Sequence, residues 1–468
     1  MIVRGVGSGL PEWPLRFRTS PGEDYARSEQ LSSESLLRNV RTCWTEGEMR
    51  TALHLMWATI ERGLGRLAQA LILLLFAKFT SPEAVGIYAW VALVYTLYHA
   101  VAEIAIRSQA VLCLQNEDDL EYIRTRSRWS GLFGVAFISG TLSVLFLAYP
   151  GHRDIVFGLS PFALIPLITS AHIVPAAVLQ LHEYWRALAR WQALSAAGAL
   201  VASVPTAIFL HSSLAMALHL AVTEIFYLML TRREASTLNI VRDKQSRQPQ
   251  RETVSMMAIS IVTWAQNQLE RVFIGTLAGP ATLGLYSTAA TIGRSGGDAL
   301  GNATSSYVLA LTARASDDSV RRQMLWTVGL ISVGGAIAMA ALVLLAVDIV
   351  LAPFLGSAYA ATLHAAPYFA VATVPAVISA SLQVYGVVEK RSGPAIASTV
   401  VGLVCALPIG LVATQNVTHA AIAVIGKDLL VLLVYAVLRR DVMSGRLLAL
   451  AGTATLLALG VVVWVTGI

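Results

Sequence analysis

The sequence predicts an all-α polytopic membrane protein: two six-helix repeats, or lobes, followed by one extra C-terminal span. Three observations carry that prediction. The 468 residues are 56% hydrophobic and only 13% charged, about half the roughly 25% charge of a soluble protein. The apolar residues fall in blocks free of Asp, Glu, Lys and Arg, among them 129–152, 155–182, 191–223, 393–426 and 447–468. Each block can cross the ~30 Å hydrocarbon layer, which takes about 20 helical residues. Inside lipid every backbone amide needs an internal partner, so these blocks are helices unless they are closed-barrel strands, which would alternate polar and apolar residues. The third observation is an internal duplication at offsets of 198–206.

Taken in order, residues 1–54 are polar, carry seven Lys or Arg and hold no apolar core for a signal peptide. They read as a disordered cytoplasmic tail. The N-lobe, 55–235, holds spans at about 56–77, 84–106, 129–149, 155–182, 191–210 and 214–231. A charged cytoplasmic linker, 236–252, follows. The C-lobe, 253–440, holds spans at about 255–278, 282–312, 325–347, 365–388, 393–413 and 418–438, and 441–468 contains the thirteenth, 447–466.

Orientation follows from the retention of Lys and Arg on the cytoplasmic side. Loops on the N-terminal side of the membrane carry twenty such residues and those on the far side carry two, Lys78 and Arg153. The N-terminus is therefore expected in the cytoplasm. The net charge of +6 reads as a topology signal, not as a nucleic-acid surface.

The duplication is most visible where Pro82, Gly86 and Tyr88 spell P-x-x-x-G-x-Y and Pro280, Gly284 and Tyr286 repeat it. Pro166 and Pro175 match Pro367 and Pro375, and Pro205 matches Pro408. Each repeat holds an even number of spans, so both enter from the same side and are related by an axis along the membrane normal. The intramembrane prolines are expected to bend the fourth and tenth spans. Gly296, Gly297 and Gly301 are expected to permit close helix packing.

Enzyme signatures are sparse. Gly426-Lys427-Asp428 lacks the spacing and hydroxyl of a phosphate loop, and Cys43, Cys113 and Cys405 show no metal-binding spacing. The chemistry rests instead on charges inside the spans, which are costly in hydrocarbon and face a cavity or a partner. Arg62, Arg66, Arg271 and Arg294, with Gln266 and Asn267, are the candidates for a central substrate cavity. Glu61, Glu103, Glu224, Glu270, Asp298, Lys427 and Asp428 are the candidates for ion coupling or gating. The alternative is a set of salt bridges. Arg294 with Asp298 is well spaced for an intrahelical pair, and Arg66 or Arg271 could pair with Glu103 or Glu224. The adjacent Lys427 and Asp428 point about 100° apart and are not expected to neutralise each other. His172 and His219 are weaker candidates as proton relays than as packed histidines bonded to a neighbouring helix.

Three pieces carry a resemblance: 76–88 with Phe76, Pro82, Gly86 and Tyr88; 269–275 with Glu270 and Arg271, followed by Gly284 and Tyr286; and 354–359 with Phe354 and Tyr359. Over about residues 55–440 the chain resembles the polysaccharide (O-antigen type) flippases of the multidrug/oligosaccharidyl-lipid/polysaccharide exporter superfamily. Members usually have Asp where Glu270 stands, and twelve or fourteen spans instead of thirteen. The resemblance implies two lobes around a central cavity and alternating access. It also implies export of undecaprenyl-pyrophosphate-linked oligosaccharide across a bacterial inner membrane for exopolysaccharide or lipopolysaccharide synthesis. Lipid-linked oligosaccharide, membrane lipid and other polysaccharide-assembly proteins are the implied partners, with no nucleic acid and no cofactor. The alternatives are a cation-coupled multidrug exporter of the same superfamily and a membrane glycan polymerase or ligase.

Overall fold

The structure, a computed structural model, describes residues 46–113, 117–238, 249–312, 318–388, 393–439 and 445–466. All regular structure there is helical. Residues Ala52–Ile468 form one compact unit.

Helix α1 is Glu46–Phe79. It starts ten residues before the expected first span, so the end of the expected tail is helical while 1–45 lies outside the described residues. Helix α2, Pro82–His99, starts where Ser81 accepts a hydrogen bond from the Ala84 N–H and Pro82 presets the first turn. A π-helical stretch, Ala100–Ile106, carries it into α3, Arg107–Cys113. Arg107, which the sequence placed in a loop, therefore lies on a continuous helix with a buried side chain.

Next come α4, Glu117–Ala148, and a short α5, Arg153–Gly158. A 3-10 turn, Ser160–Leu164, leads into α6, Ile165–Leu181. The expected fourth span, 155–182, is thus broken near Gly158 and Pro161, where a proline cannot continue the ladder. Helices α7, Trp185–Leu210, and α8, Leu214–Ala235, complete the first half.

The second half follows the same plan: α9, Pro249–Leu277; α10, Gly279–Thr312; and α11, Asp318–Ala346, running through a π-helical stretch into α12, Ala352–Leu355. The 3-10 turn Ser357–Tyr359, entered through Gly356 at φ 75°, leads into α13, Ala360–Val388. Helices α14, Gly393–Ala413; α15, Val417–Leu438, capped by Asn416; and α16, Gly445–Thr466, close the chain.

All thirteen expected spans fall on helices, and among the described residues nine are long and apolar enough to cross a membrane by length and composition. The other four are α1, α9 and α10, which carry the charges discussed below, and α16, whose shorter apolar stretch is Ala451–Val463. Large apolar side chains such as Phe133, Leu147, Val201 and Phe209 stand exposed on the outside of the helices, the surface that lipid covers.

Corresponding helices pair alike in the two halves. Helix α4 packs on α6 as α11 packs on α13, α7 on α8 as α14 on α15, and α6 on α8 as α13 on α15. The halves meet where α2 crosses α10. Helix α16 packs on α11 and α13.

Candidate transport site

Two groups of ionisable side chains lie inside the helices. In the first half, Glu61 on α1 takes the Arg107 guanidinium at 3.3 Å and the Tyr227 hydroxyl at 3.0 Å. One layer away, Glu224 on α8 lies 2.6 Å from His172 Nε2 on α6 and accepts from the Tyr95 hydroxyl on α2 at 3.3 Å. The His172 ring stands edge-on to Tyr227, 5.1 Å between centroids, and links the two carboxylates into one packed set. These groups are nearly sealed, which raises the stakes of each contact because an unmatched charge in low dielectric is costly.

The second-half group is denser. Lys427 Nζ on α15 lies 2.7 Å from Glu270 on α9 and also donates to the Gln266 carbonyl at 3.3 Å. The Tyr286 hydroxyl donates to the same Glu270 at 2.7 Å. Arg294 on α10 lies 3.1 Å from Asp428 and 3.6 Å from Asp298. The expected Arg294–Asp298 pair is thus present, but Asp428, 134 residues away, is nearer. Lys427 also approaches Asp428 at 3.8 Å. Their helical directions did not predict this, because a lysine stem is long enough to bend back toward the next residue.

Arg66 leaves α1 and reaches Asp298 on α10 at 3.7 Å, while the Glu224 considered as its partner lies against His172 and Tyr95. This pair differs from the others in being open: the Arg66 and Asp298 side chains are 43% and 38% exposed, against 0% for Lys427 and 3% for Glu270. Arg271, partly buried, makes no ion pair among the described residues and has an unpartnered Nε. It lies in the field of Glu270, Asp298 and Arg294. Gln266 is buried against Gly402 with its Oε1 unpartnered, as is the Gln268 Oε1. Asn267 is partly buried on the same helix. The side chains of Arg62 and Glu103 lie outside the described residues.

The fold therefore gathers Arg66, Arg271, Arg294, Lys427, Glu270, Asp298 and Asp428 around α9, α10 and α15, and separates Glu61 and Glu224 into the other half. Sequence reasoning missed Arg107 and the tyrosines. Two of those tyrosines had a signal, since Tyr88 and Tyr286 occupy the same place in the repeated motif. Each reaches the helix before its own: Tyr88 meets the Gln69 amide at 3.5 Å, and Tyr286 donates to Glu270. A second correspondence links Tyr95–Glu224 to Arg294–Asp428, whose members stand 199 and 204 positions apart.

The family described as Polysaccharide biosynthesis protein matches residues 75–364. No curated protein matches the chain. Among solved structures, a MOP superfamily transporter from Pyrococcus furiosus, described as having a binding pocket of reverse polarity, aligns at TM-score 0.59 and 15% identity over 83% of this chain and 95% of that one. A single-residue mutant of the Vibrio cholerae MATE transporter VcmN aligns at 0.58 and 13% over 84% and 98%. The lipid II flippase MurJ, in an inward closed conformation, aligns at 0.55 and 12% over 88% and 93%. At these identities the likeness is one of fold.

Proposed function

Because the chain belongs to the polysaccharide biosynthesis protein family, we propose that this multi-pass membrane transporter flips undecaprenyl-pyrophosphate-linked oligosaccharide across a bacterial inner membrane by alternating access between two lobes, 55–235 and 253–440, with its N-terminus in the cytoplasm. The observation that supports this reading is the open Arg66–Asp298 pair, with Arg271, which makes no ion pair among the described residues, in the field of the same Asp298. A sealed salt bridge is already satisfied. An accessible arginine at the boundary between the halves can exchange its carboxylate for an incoming phosphate, and the guanidinium fork matches phosphate oxygens. Arg62, four positions before Arg66 in the sequence, is proposed with it on spacing alone. The buried pairs of Glu270 with Lys427 and Arg294 with Asp428 hold the walls and serve as the gating set.

The test is deletion of the gene followed by measurement of undecaprenyl-linked oligosaccharide in each leaflet. Accumulation in the inner leaflet, reversed by the wild-type gene, is expected. Normal outer-leaflet delivery in the deletion strain would overturn the reading.

A second reading, a cation-coupled multidrug exporter, is favoured by the Glu224–His172 contact, a carboxylate and an imidazole able to hold a proton between them. It predicts drug efflux from proteoliposomes under a proton gradient, with no requirement for lipid-linked sugar.

A further inference from the structure

Along α4, Leu120, Arg124, Arg128 and Leu132 recur every four residues and so form one ridge. That ridge lines a cavity of about 670 Å³ whose other walls come from α6 and α8, within the range of small-molecule sites. Arg232 faces it from α8, and Pro175, Val178 and Leu228 supply apolar wall. The cavity shares no residue with either ionisable group described above.

The sequence accounts for these three arginines only as topology signals, yet here they converge. Among the described residues none of the three has a side-chain hydrogen bond or ion pair, and no carboxylate lines the cavity. Three exposed arginines thus share one cavity whose remaining wall is largely apolar. Leu132 lines the cavity and, with its neighbour Phe133, stands exposed on α4. Pro175 offers no N–H to the Ala171 carbonyl one turn earlier, so a cavity-lining acceptor is left without its helical donor.

We propose that this cavity is a binding site for an anionic glycerophospholipid. Its phosphate lies among Arg124, Arg128 and Arg232, a headgroup hydroxyl meets the Ala171 carbonyl, and an acyl chain runs along Leu132 and Leu228. Basic pockets between membrane helices bind anionic headgroups by this combination of charge and depth. The lipid would act as a resident cofactor of the fold, bridging α4 to α8, and its binding does not depend on what the protein transports.

The test uses the purified full chain in detergent, titrated with dioleoyl-phosphatidylglycerol or dioleoyl-phosphatidylcholine. Retained lipid is read by native mass spectrometry and stability by thermal unfolding. The wild type should retain phosphatidylglycerol preferentially and gain thermal stability from it. Each of Arg124→Gln, Arg128→Gln and Arg232→Gln should weaken retention about fivefold, and the triple variant on the order of a hundredfold, at about 1 kcal/mol per arginine. The control Arg153→Gln/Arg186→Gln/Arg190→Gln removes equal charge elsewhere and should keep the preference. Leu228→Trp fills the cavity without changing charge and should lower retention too, which keeps the proposal open to refutation if the triple variant does not fold. Preference surviving in the triple variant, or lost equally in the control, would overturn the site. Equal stabilisation by inorganic phosphate would show that the arginines read a free anion and would overturn the lipid.

Discussion

Gly86 and Pro280 touch backbone to backbone: a Cβ on Gly86 would overlap the Pro280 carbonyl, and one on Gly284 would overlap the Pro82 carbonyl in the same way. The motif that appears twice in the sequence therefore meets itself in space, each glycine receiving the other copy's proline where α2 crosses α10. A reciprocal contact of this kind is what a two-fold relation between the halves requires at its axis.

Gly86→Ala and Gly284→Ala should each destabilise the protein by about 1–3 kcal/mol, the usual cost of overpacking, because the atom that must yield is backbone. Gly140→Ala on α4, where nothing lies within 4 Å, should be neutral or slightly stabilising. Thermal unfolding of the inserted protein measures both. Equal behaviour of Gly86→Ala and Gly140→Ala would mean the crossing is loose.

Breaking the Lys427–Glu270 pair from one side should cost about 3–5 kcal/mol, since it leaves an uncompensated buried charge. Lys427→Met and Glu270→Gln should each lower the unfolding midpoint strongly, and the double variant should recover most of the loss. A double variant as unstable as the sum of the singles would show that the two residues act independently.

Arg66 behaves oppositely. Its pair with Asp298 is exposed, and such pairs contribute about 0–1 kcal/mol, so Arg66→Ala should leave stability unchanged. Under the proposed function it should nonetheless abolish export, as should Arg271→Ala, while lysine at either position retains part of it. Outer-leaflet oligosaccharide, normalised to inserted protein, is the readout. Recovery of export in Arg66→Ala/Asp298→Asn would mean that Arg66 only neutralises a carboxylate.

Glu224→Gln keeps the shape of the His172 contact but removes the carboxylate. If this pair carries a proton during transport, the variant should fold, bind substrate and lose its response to an imposed pH gradient across proteoliposomes. Wild-type gradient dependence in Glu224→Gln would leave the pair with a packing role alone.

The membrane class, the approximate position of the helices and the doubled motif were legible in the residues alone, because they depend on local quantities: twenty-residue apolar lengths, charge-free blocks and the placement of proline and glycine. The same reading marked which charges sit inside helices. It could not assign their partners. Spacing along one helix found Arg294 with Asp298, yet the closer partner, Asp428, arrives from α15, and Arg66 takes Asp298 from α1. Arg107 looked like a loop residue until the π-helical stretch before it kept the helix running and turned its side chain toward Glu61. The three arginines around the α4–α6–α8 cavity were visible one by one as charges, and only the packing of those helices brought them together. A charge in a membrane protein is fixed by whichever opposite charge relieves its desolvation, and that partner belongs to a neighbouring helix whose position is set by long-range packing.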